Sequence, residues 1–169
     1  MIEIKEQYPD NKTEMYALLK EQLAALMEGE THPLPNLANM AALLNGALKN
    51  INWVGFYLMM DGGLLLGPFQ GKTACIRIPV GKGVCGTAVA QDRIQRVDDV
   101  HAFPGHIACD GASNSEIVLP IHADGRIVGV LDIDSPRFSR FDAQDEQGLS
   151  ELVALLASGC RWEAITAPN

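Results

Sequence analysis

The segment EIVLPIHADGRIVGVLDID, residues 116–134, contains two apolar runs on either side of the turn-forming pair Asp124 and Gly125. Apolar and polar residues alternate in both runs, and this pattern predicts two antiparallel strands at 116–122 and 127–134. The segment therefore predicts a β-hairpin, and the register of the hairpin decides which side chains share each face of the sheet.

One register of this hairpin keeps apolar residues opposite apolar residues, because it places Ile117 opposite Ile133. The same register places Glu116 opposite Asp134. A tight two-residue turn would instead pair Glu116 with Ile133 and mix the two faces. We therefore predict the first register, closed by a three-residue loop with a bulge.

This register gathers three carboxylates on one face, since Asp132 lies two residues from the opposed acidic pair. The face also carries Val118, Val128 and Val130. Like charges directly opposite each other destabilise a sheet, so the face is either solvated or the floor of a pocket. Such a pocket could bind a cation or an ammonium group, or share a proton that keeps one acid neutral.

The rest of the chain predicts an α+β domain with a mainly antiparallel central sheet and the terminal helices packed on one face. We expect residues 1–169 to form one domain with no effector domain. The remaining elements are predicted as helices at 13–29 and 37–48, strands at 52–60, 64–69 and 74–80, a short helix at 81–91, a strand at 94–97, a long loop at 98–114 and a final helix that Asp142 caps and that runs through Ala164.

Charge and composition exclude two classes of partner. The formal net charge is −8 and the 13 Lys and Arg residues are scattered, so we expect no nucleic-acid partner. No apolar stretch is long enough to predict a membrane span. The acidic, polar N-terminus does not have the pattern of a signal peptide, and we therefore expect a cytoplasmic protein.

The four cysteines are unlike a structural disulfide set, since a cytoplasmic chain rarely has one. Cys160 lies on the apolar face of the last helix, which predicts a core residue. Cys75, Cys85 and Cys109 lie beside glycines, on a strand face or in a loop. Three readings stay open for them: buried thiols, metal ligands, or a redox nucleophile with resolving thiols.

A zinc site would have to combine Cys109 with His101 or His106, but the cysteines include no C-x2-C pair. We expect the two histidines to be ordinary loop residues. Trp53 and Tyr57 share one face of the strand at 52–60. This placement predicts that they are either core residues or the apolar wall of a pocket.

Four segments of the chain resemble the motifs of free methionine-(R)-sulfoxide reductases, a family built on a single GAF domain. They are NWVGFYL, GPFQGKTACIRIPVGKGVCGTA, FPGHIACDGASNSEIVLPI and GVLDIDSP. The family's cysteine and acidic positions are all present, at Cys75, Cys85, Cys109, Glu116, Asp132 and Asp134.

The resemblance implies reduction of free methionine (R)-sulfoxide, with the Cys109 thiolate attacking the sulfoxide sulfur. A carboxylic acid of the pair Glu116 and Asp134 would protonate the leaving oxygen. The sulfenic acid on Cys109 would be resolved by Cys75, with Cys85 as the alternative or a relay, and thioredoxin would reduce the disulfide. The resemblance implies no bound metal or organic cofactor.

For the substrate, Asp132 is expected to hold the ammonium group together with Glu116 and Asp134. Trp53 and Tyr57 would contact the S-methyl end. The substrate carboxylate would accept hydrogen bonds from the backbone of Gly111, Ala112 and Ser113.

Three other functions remain open at this stage: a GAF module that binds a small molecule without turnover, a thiol redox sensor, and a small zinc protein. The preference for the R epimer rests on the resemblance alone, and so does a homodimer formed through the terminal helices.

Overall fold

The computed structural model describes residue 4 and residues 7–107 and 110–165. Its elements occur in the predicted order. The helices are α1 (Lys12–Met27), α2 (Pro33–Ala47), α3 (Gly83–Gln91) and α4 (Ala143–Gly159), and the strands are β1 (Trp53–Met60), β2 (Gly63–Gly71), β3 (Arg77–Pro79), β4 (Gln95–Val97), β5 (Ser115–Ala123) and β6 (Arg126–Ser135).

The six strands form one sheet with the order β3-β2-β1-β6-β5-β4, and each pair of neighbours is antiparallel. The main core lies between this sheet and α1, α2 and α4, which confirms the prediction that the terminal helices share a face. A smaller core lies on the opposite face, where α3 packs against β5 and β6. The α+β class and the antiparallel sheet are therefore confirmed.

The predicted helix ends are partly wrong. The second helix begins at Pro33 and not at 37, because proline suits the first turn and His32 Nδ1 accepts a hydrogen bond from the Leu34 N–H at 3.2 Å. The last helix ends at Gly159, and a separate 3-10 helix covers Trp162–Ala164. The predicted Asp142 cap is confirmed, since its side chain accepts hydrogen bonds from two backbone N–H groups of α4.

The predicted register of the hairpin is confirmed, but the predicted loop is wrong. Asp124 and Gly125 form a two-residue turn with φ of 52° and 74°, which is typical of a type I′ turn. The register shifts between Ile121 and His122, so Val128 is an extra residue without a partner on β5. This bulge turns Val128 into the helix-side core and away from the acidic face, where we predicted it.

No helix of the described residues is long and apolar enough to cross a membrane.

Candidate functional site

The acidic face of β5 and β6 is buried and forms the floor of a cavity. Glu116 pairs with Asp134, and Asp132 pairs with Val118. Glu116 and Asp132 are each only 6% exposed, so the face is not simply solvated. All three carboxylates line this cavity.

One wall of the cavity is aromatic. β1 pairs with β6 so that Trp53 is opposite Asp134 and Gly55 is opposite Asp132. The rings of Trp53 and Tyr57 stack with centroids 5.9 Å apart. Gly55 cannot be replaced without movement, because a Cβ atom there would lie 2.3 Å from the Phe69 Cβ. The predicted placement of both aromatic residues beside the acids is therefore what the structure has.

Helix α3 brings a thiol to the acids. Cys85 is a free, buried cysteine, and its Sγ and one oxygen each of Glu116 and Asp132 all lie within 4.8 Å of one another. Burial, followed by the charges of Asp132 and Glu116, raises the pKa of the Cys85 thiol well above its usual range. Three such atoms could hold a cation, either a metal ion or an ammonium group.

The three carboxylates have different proton affinities. Burial, and then the neighbouring charges, raises the pKa of Glu116 well above its usual range, and the same causes raise the pKa of Asp134. Burial raises the pKa of Asp132 less, to about 6, because hydrogen bonds from Glu116 and Cys85 favour its charged form. Asp132 is thus the carboxylate that ionises first, and Glu116 holds its proton more tightly than Asp132 does.

Asp132 also has an unused hydrogen-bond acceptor. Within the described residues, its buried Oδ1 has no hydrogen-bond partner. A buried polar oxygen without a partner costs free energy, and this cost is relieved when a donor binds. The oxygen therefore indicates where a ligand donor would lie.

The loop before β5 adds groups that the sequence did not single out. Asp110 lines the cavity, and Asn52 Nδ2 donates to its Oδ2 at 3.1 Å and to Ser113 Oγ at 3.0 Å. The N–H groups of Ala112 and Ser113 donate to Oδ1 and to the backbone oxygen of Asp110. These two N–H groups are already used within the loop, so the proposed cradle for the substrate carboxylate is not supported there.

The two histidines differ. His101 is exposed and lies in a 3-10 helix at Val100–Ala102, not in a loop, and its Nε2 is 2.9 Å from Asn114 Oδ1. His106 lines the cavity, with its Nε2 at 3.9 Å from Glu116 Oε2, and burial lowers its pKa. The sequence prediction missed His106 and Asp110. The signal that could have found them is the length of their loop, since long loops in compact domains often carry function.

The remaining cysteines differ in their bonding and surroundings. Cys75 is disulfide-bonded and half-buried, and its backbone oxygen accepts a hydrogen bond from Tyr57 Oη at 2.9 Å. Cys160 is half-buried against the helix-side core, where Asn36 Nδ2 lies 3.5 Å from its Sγ. Cys109, the predicted nucleophile, lies outside the described residues.

Comparisons with known proteins identify relatives over most of the chain. The GAF domain model matches residues 40–159. The free methionine-R-sulfoxide reductase of Escherichia coli is 64% identical over 86% of this chain and 88% of its own length. The enzyme of the same name from Saccharomyces cerevisiae is 44% identical over 89% and 88%.

Solved structures agree with these relatives. The X-ray structure of free methionine-R-sulfoxide reductase from Neisseria meningitidis in complex with its substrate superposes with a TM-score of 0.89. That protein is 42% identical, and the match covers 96% of this chain and 97% of the other.

Proposed function

The chain belongs to the GAF-domain family of free methionine-R-sulfoxide reductases, and we propose that it reduces free methionine (R)-sulfoxide to methionine. The observation that carries the proposal is the group of three carboxylates, two buried and one half-buried, beside an aromatic wall. Within the described residues, no Lys or Arg pairs with Glu116, Asp132 or Asp134. A ligand with a positive group is the partner that these acids lack.

Asp132 is our candidate for the substrate ammonium. Its pKa of about 6 leaves it ionised at neutral pH, and its Oδ1 has no hydrogen-bond partner among the described residues. A methionine sulfoxide inside a peptide has no free ammonium at that residue. It would leave the buried carboxylates unpaired, and this cost would exclude protein-bound methionine sulfoxide from the site.

The chemical step needs a thiolate and an acid. We assign the thiolate to Cys109, which attacks the sulfoxide sulfur. The oxygen takes a proton from Glu116, whose pKa is raised by burial and by its two acidic neighbours, and the sulfur–oxygen bond breaks. The products are methionine and a sulfenic acid on Cys109.

Cys75 is our candidate for the thiol that resolves the sulfenic acid. Its sulfur would attack the Cys109 sulfur and release the hydroxyl group as water, which leaves a disulfide. Two observations favour Cys75 over Cys85: Cys75 is disulfide-bonded, whereas Cys85 is a free thiol whose raised pKa makes it a poor nucleophile. We propose thioredoxin as the reductant that restores both thiols.

Two further parts of the proposal concern the setting of the enzyme. The cytoplasm is the expected compartment, because the cycle needs a reducing thiol pool. A homodimer through α1 and α4 stays a prediction.

The test is turnover of both epimers. The reduced protein is incubated with racemic free methionine sulfoxide and dithiothreitol, and each epimer is followed on a chiral column. We expect loss of the R epimer alone, no loss with Cys109→Ser, and no loss of N-acetylmethionine sulfoxide. If a folded wild-type protein consumes neither epimer, the reductase function is wrong, and peroxide-driven disulfide formation would point to a redox sensor.

A further inference from the structure

The segment that contains Cys75, the proposed resolving cysteine, has an unusual distribution of charged residues. Residues 62–91 contain no Asp or Glu, and their only charged side chains are Lys72, Arg77 and Lys82. Two of these cations lie near acids outside the stretch: Lys72 Nζ is 3.9 Å from Asp110 Oδ1, and Arg77 Nη1 is 3.8 Å from Asp61 Oδ2. Lys82 has no ion pair among the described residues, and the Arg77 side chain is 61% exposed, so both are accessible to a carboxylate of a partner. Accessible cations attract an acidic partner and speed its association.

The same segment exposes large apolar side chains. Ile76, the residue after Cys75, is 69% exposed, and Val80 is 40% exposed. Ile107, which is 37% exposed, lines the cavity and lies beside Gly83. Large exposed apolar side chains on one short segment, such as Ile76 and Val80, indicate an interaction surface, because their burial by a partner is favourable.

Hydrogen bonds hold the backbone around the exposed Ile76 in place. Its carbonyl oxygen accepts a hydrogen bond from the Leu66 N–H at 2.9 Å. On either side, Tyr57 Oη donates to the Cys75 oxygen and Trp53 Nε1 donates to the Lys72 oxygen at 3.1 Å. The two aromatic residues of the cavity wall thus fix the segment that presents Cys75 and Ile76.

We propose that residues 72–82 are the docking surface for a reduced protein dithiol whose thiols lie on an apolar face bordered by carboxylates. The proposal rests on the proposed function, which makes a disulfide of Cys75 and Cys109 the oxidised state of each cycle. Ile76 supplies the apolar contact, and Arg77 and Lys82 supply the charge complementarity.

The exchange at this surface is a two-electron reduction. One partner thiolate attacks the Cys75 sulfur, the disulfide breaks, and Cys109 leaves as a thiolate. The second partner thiol then attacks the partner sulfur of the mixed disulfide and releases Cys75. The partner ends as a disulfide, and solvent protons balance the thiols. A small dithiol can perform the same exchange without contacting Ile76 or the cations.

The test compares two reductants at saturating methionine sulfoxide. For Ile76→Ser, and separately for the double variant Arg77→Glu with Lys82→Glu, we expect the kcat/KM for thioredoxin to fall about tenfold or more. Turnover with dithiothreitol is expected to stay at the wild-type rate, because none of the three side chains lines the cavity. Added salt should slow the wild type with thioredoxin but not the double variant.

Matched controls lie elsewhere on the surface. Leu34→Ser removes an apolar side chain that is 52% exposed, and Lys49→Glu reverses a charge that is 78% exposed. Both should behave as wild type with both reductants. Equal kcat/KM for thioredoxin in the test variants and the wild type would overturn the proposal.

Other outcomes also decide the question. A loss with both reductants in the folded variants would assign the segment to the substrate site and overturn docking. A change of oligomeric state in the variants, measured by sedimentation, would assign the surface to a second copy of this chain. Absence of wild-type turnover with dithiothreitol would refute the reductase function itself.

Discussion

On the helical side of the sheet, the fully buried carboxylate of Asp145 has donors on both oxygens. Tyr16 Oη donates to its Oδ1 at 2.8 Å. Its Oδ2 accepts hydrogen bonds from Lys12 Nζ at 2.7 Å, from Arg140 Nη1 at 3.1 Å and from the Asp142 N–H at 3.1 Å. Two cations and two neutral donors thus compensate one buried charge.

On the other side of the sheet, the buried carboxylates of Glu116 and Asp132 and the half-buried one of Asp134 have far less compensation. Glu116 has His106 at 3.9 Å as its closest candidate cation, and the Oδ1 of Asp132 has no hydrogen-bond partner among the described residues. The contrast separates two roles for buried acids. A carboxylate whose partners belong to the chain stabilises the fold, whereas carboxylates that lack partners are suited to bind or protonate a ligand.

The largest expected effect concerns Glu116, the proposed acid. Glu116→Gln should lower kcat/KM for free methionine sulfoxide by about 10²- to 10⁴-fold, because the glutamine amide cannot supply the proton. The variant should remain folded, since glutamine has the shape of a protonated glutamic acid and its amide can donate a hydrogen bond to Asp132 as Glu116 does. Steady-state kinetics beside a thermal melt would check both parts. Wild-type kinetics in the variant would assign the proton donor to another group.

The second prediction concerns Asp145 on the helical side of the sheet, where we expect a loss of stability and no loss of activity. Asp145→Asn should lower the free energy of unfolding by about 3 kcal/mol, because Lys12 and Arg140 lose their buried counter-charge. The kcat/KM of the folded protein should not change. Urea denaturation and an activity assay at low temperature measure the two effects. A variant as stable as wild type would contradict the structural role of Asp145.

The third prediction concerns specificity. Asp132→Asn should reduce the preference for free over N-acetylated methionine sulfoxide about 10- to 100-fold, because a charge-assisted hydrogen bond to the ammonium is lost. In the wild type, kcat/KM should rise as the pH rises through about 6, where Asp132 ionises. This rise should be absent in the variant. An unchanged preference would place the ammonium site elsewhere.

The smallest effect is an opposite dependence of stability on pH in the two regions. Since the pKa of Asp132 rises from 3.8 to about 6 on folding, its contribution to stability falls as the pH rises through that range. Asp134 has a pKa raised in the same direction, so Asp134→Asn should gain on the order of 1 kcal/mol at pH 8.

The cap residue Asp142 has the reverse sign. Although burial opposes it, hydrogen bonds from Lys12 and from backbone N–H groups lower its pKa from 3.8 to about 2. Its contribution is present above pH 3.8 and is lost as the pH falls through about 2. Urea denaturation between pH 2 and pH 8 should therefore show Asp142→Asn losing stability at neutral pH, where Asp134→Asn gains it.

Much of the acidic face could be predicted because its signal is local. Alternation along β5 and β6 fixes which residues share a face, and the cost of mixing faces selects the register. The same reasoning gave the wrong turn, because a bulge at Val128 and a loop with one more residue shift the register equally. The pattern of pairing alone does not say where the extra residue lies.

The start of the last helix was also predictable, since Asp142 accepts hydrogen bonds from N–H groups within three residues. The exposure of Ile76 was not, because the strand predicted at 74–80 covers only Arg77–Pro79 and begins one residue after Ile76. A period-two pattern cannot show where a short strand stops.

The sequence by itself determined the class of fold and the shared face of the three acids, because the pattern of each element is local and the acids lie on two strands joined by a turn. The position of Trp53 and Tyr57 beside these acids depends on the pairing of β1 with β6, which are far apart in the sequence. Only the tertiary structure decided that Cys85 meets Glu116 and Asp132, and that His106 and Asp110 enter the same cavity. These contacts join a helix and a loop to distant strands. Their distances and burial, and therefore their pKa values, depend on how the elements pack and not on any local pattern.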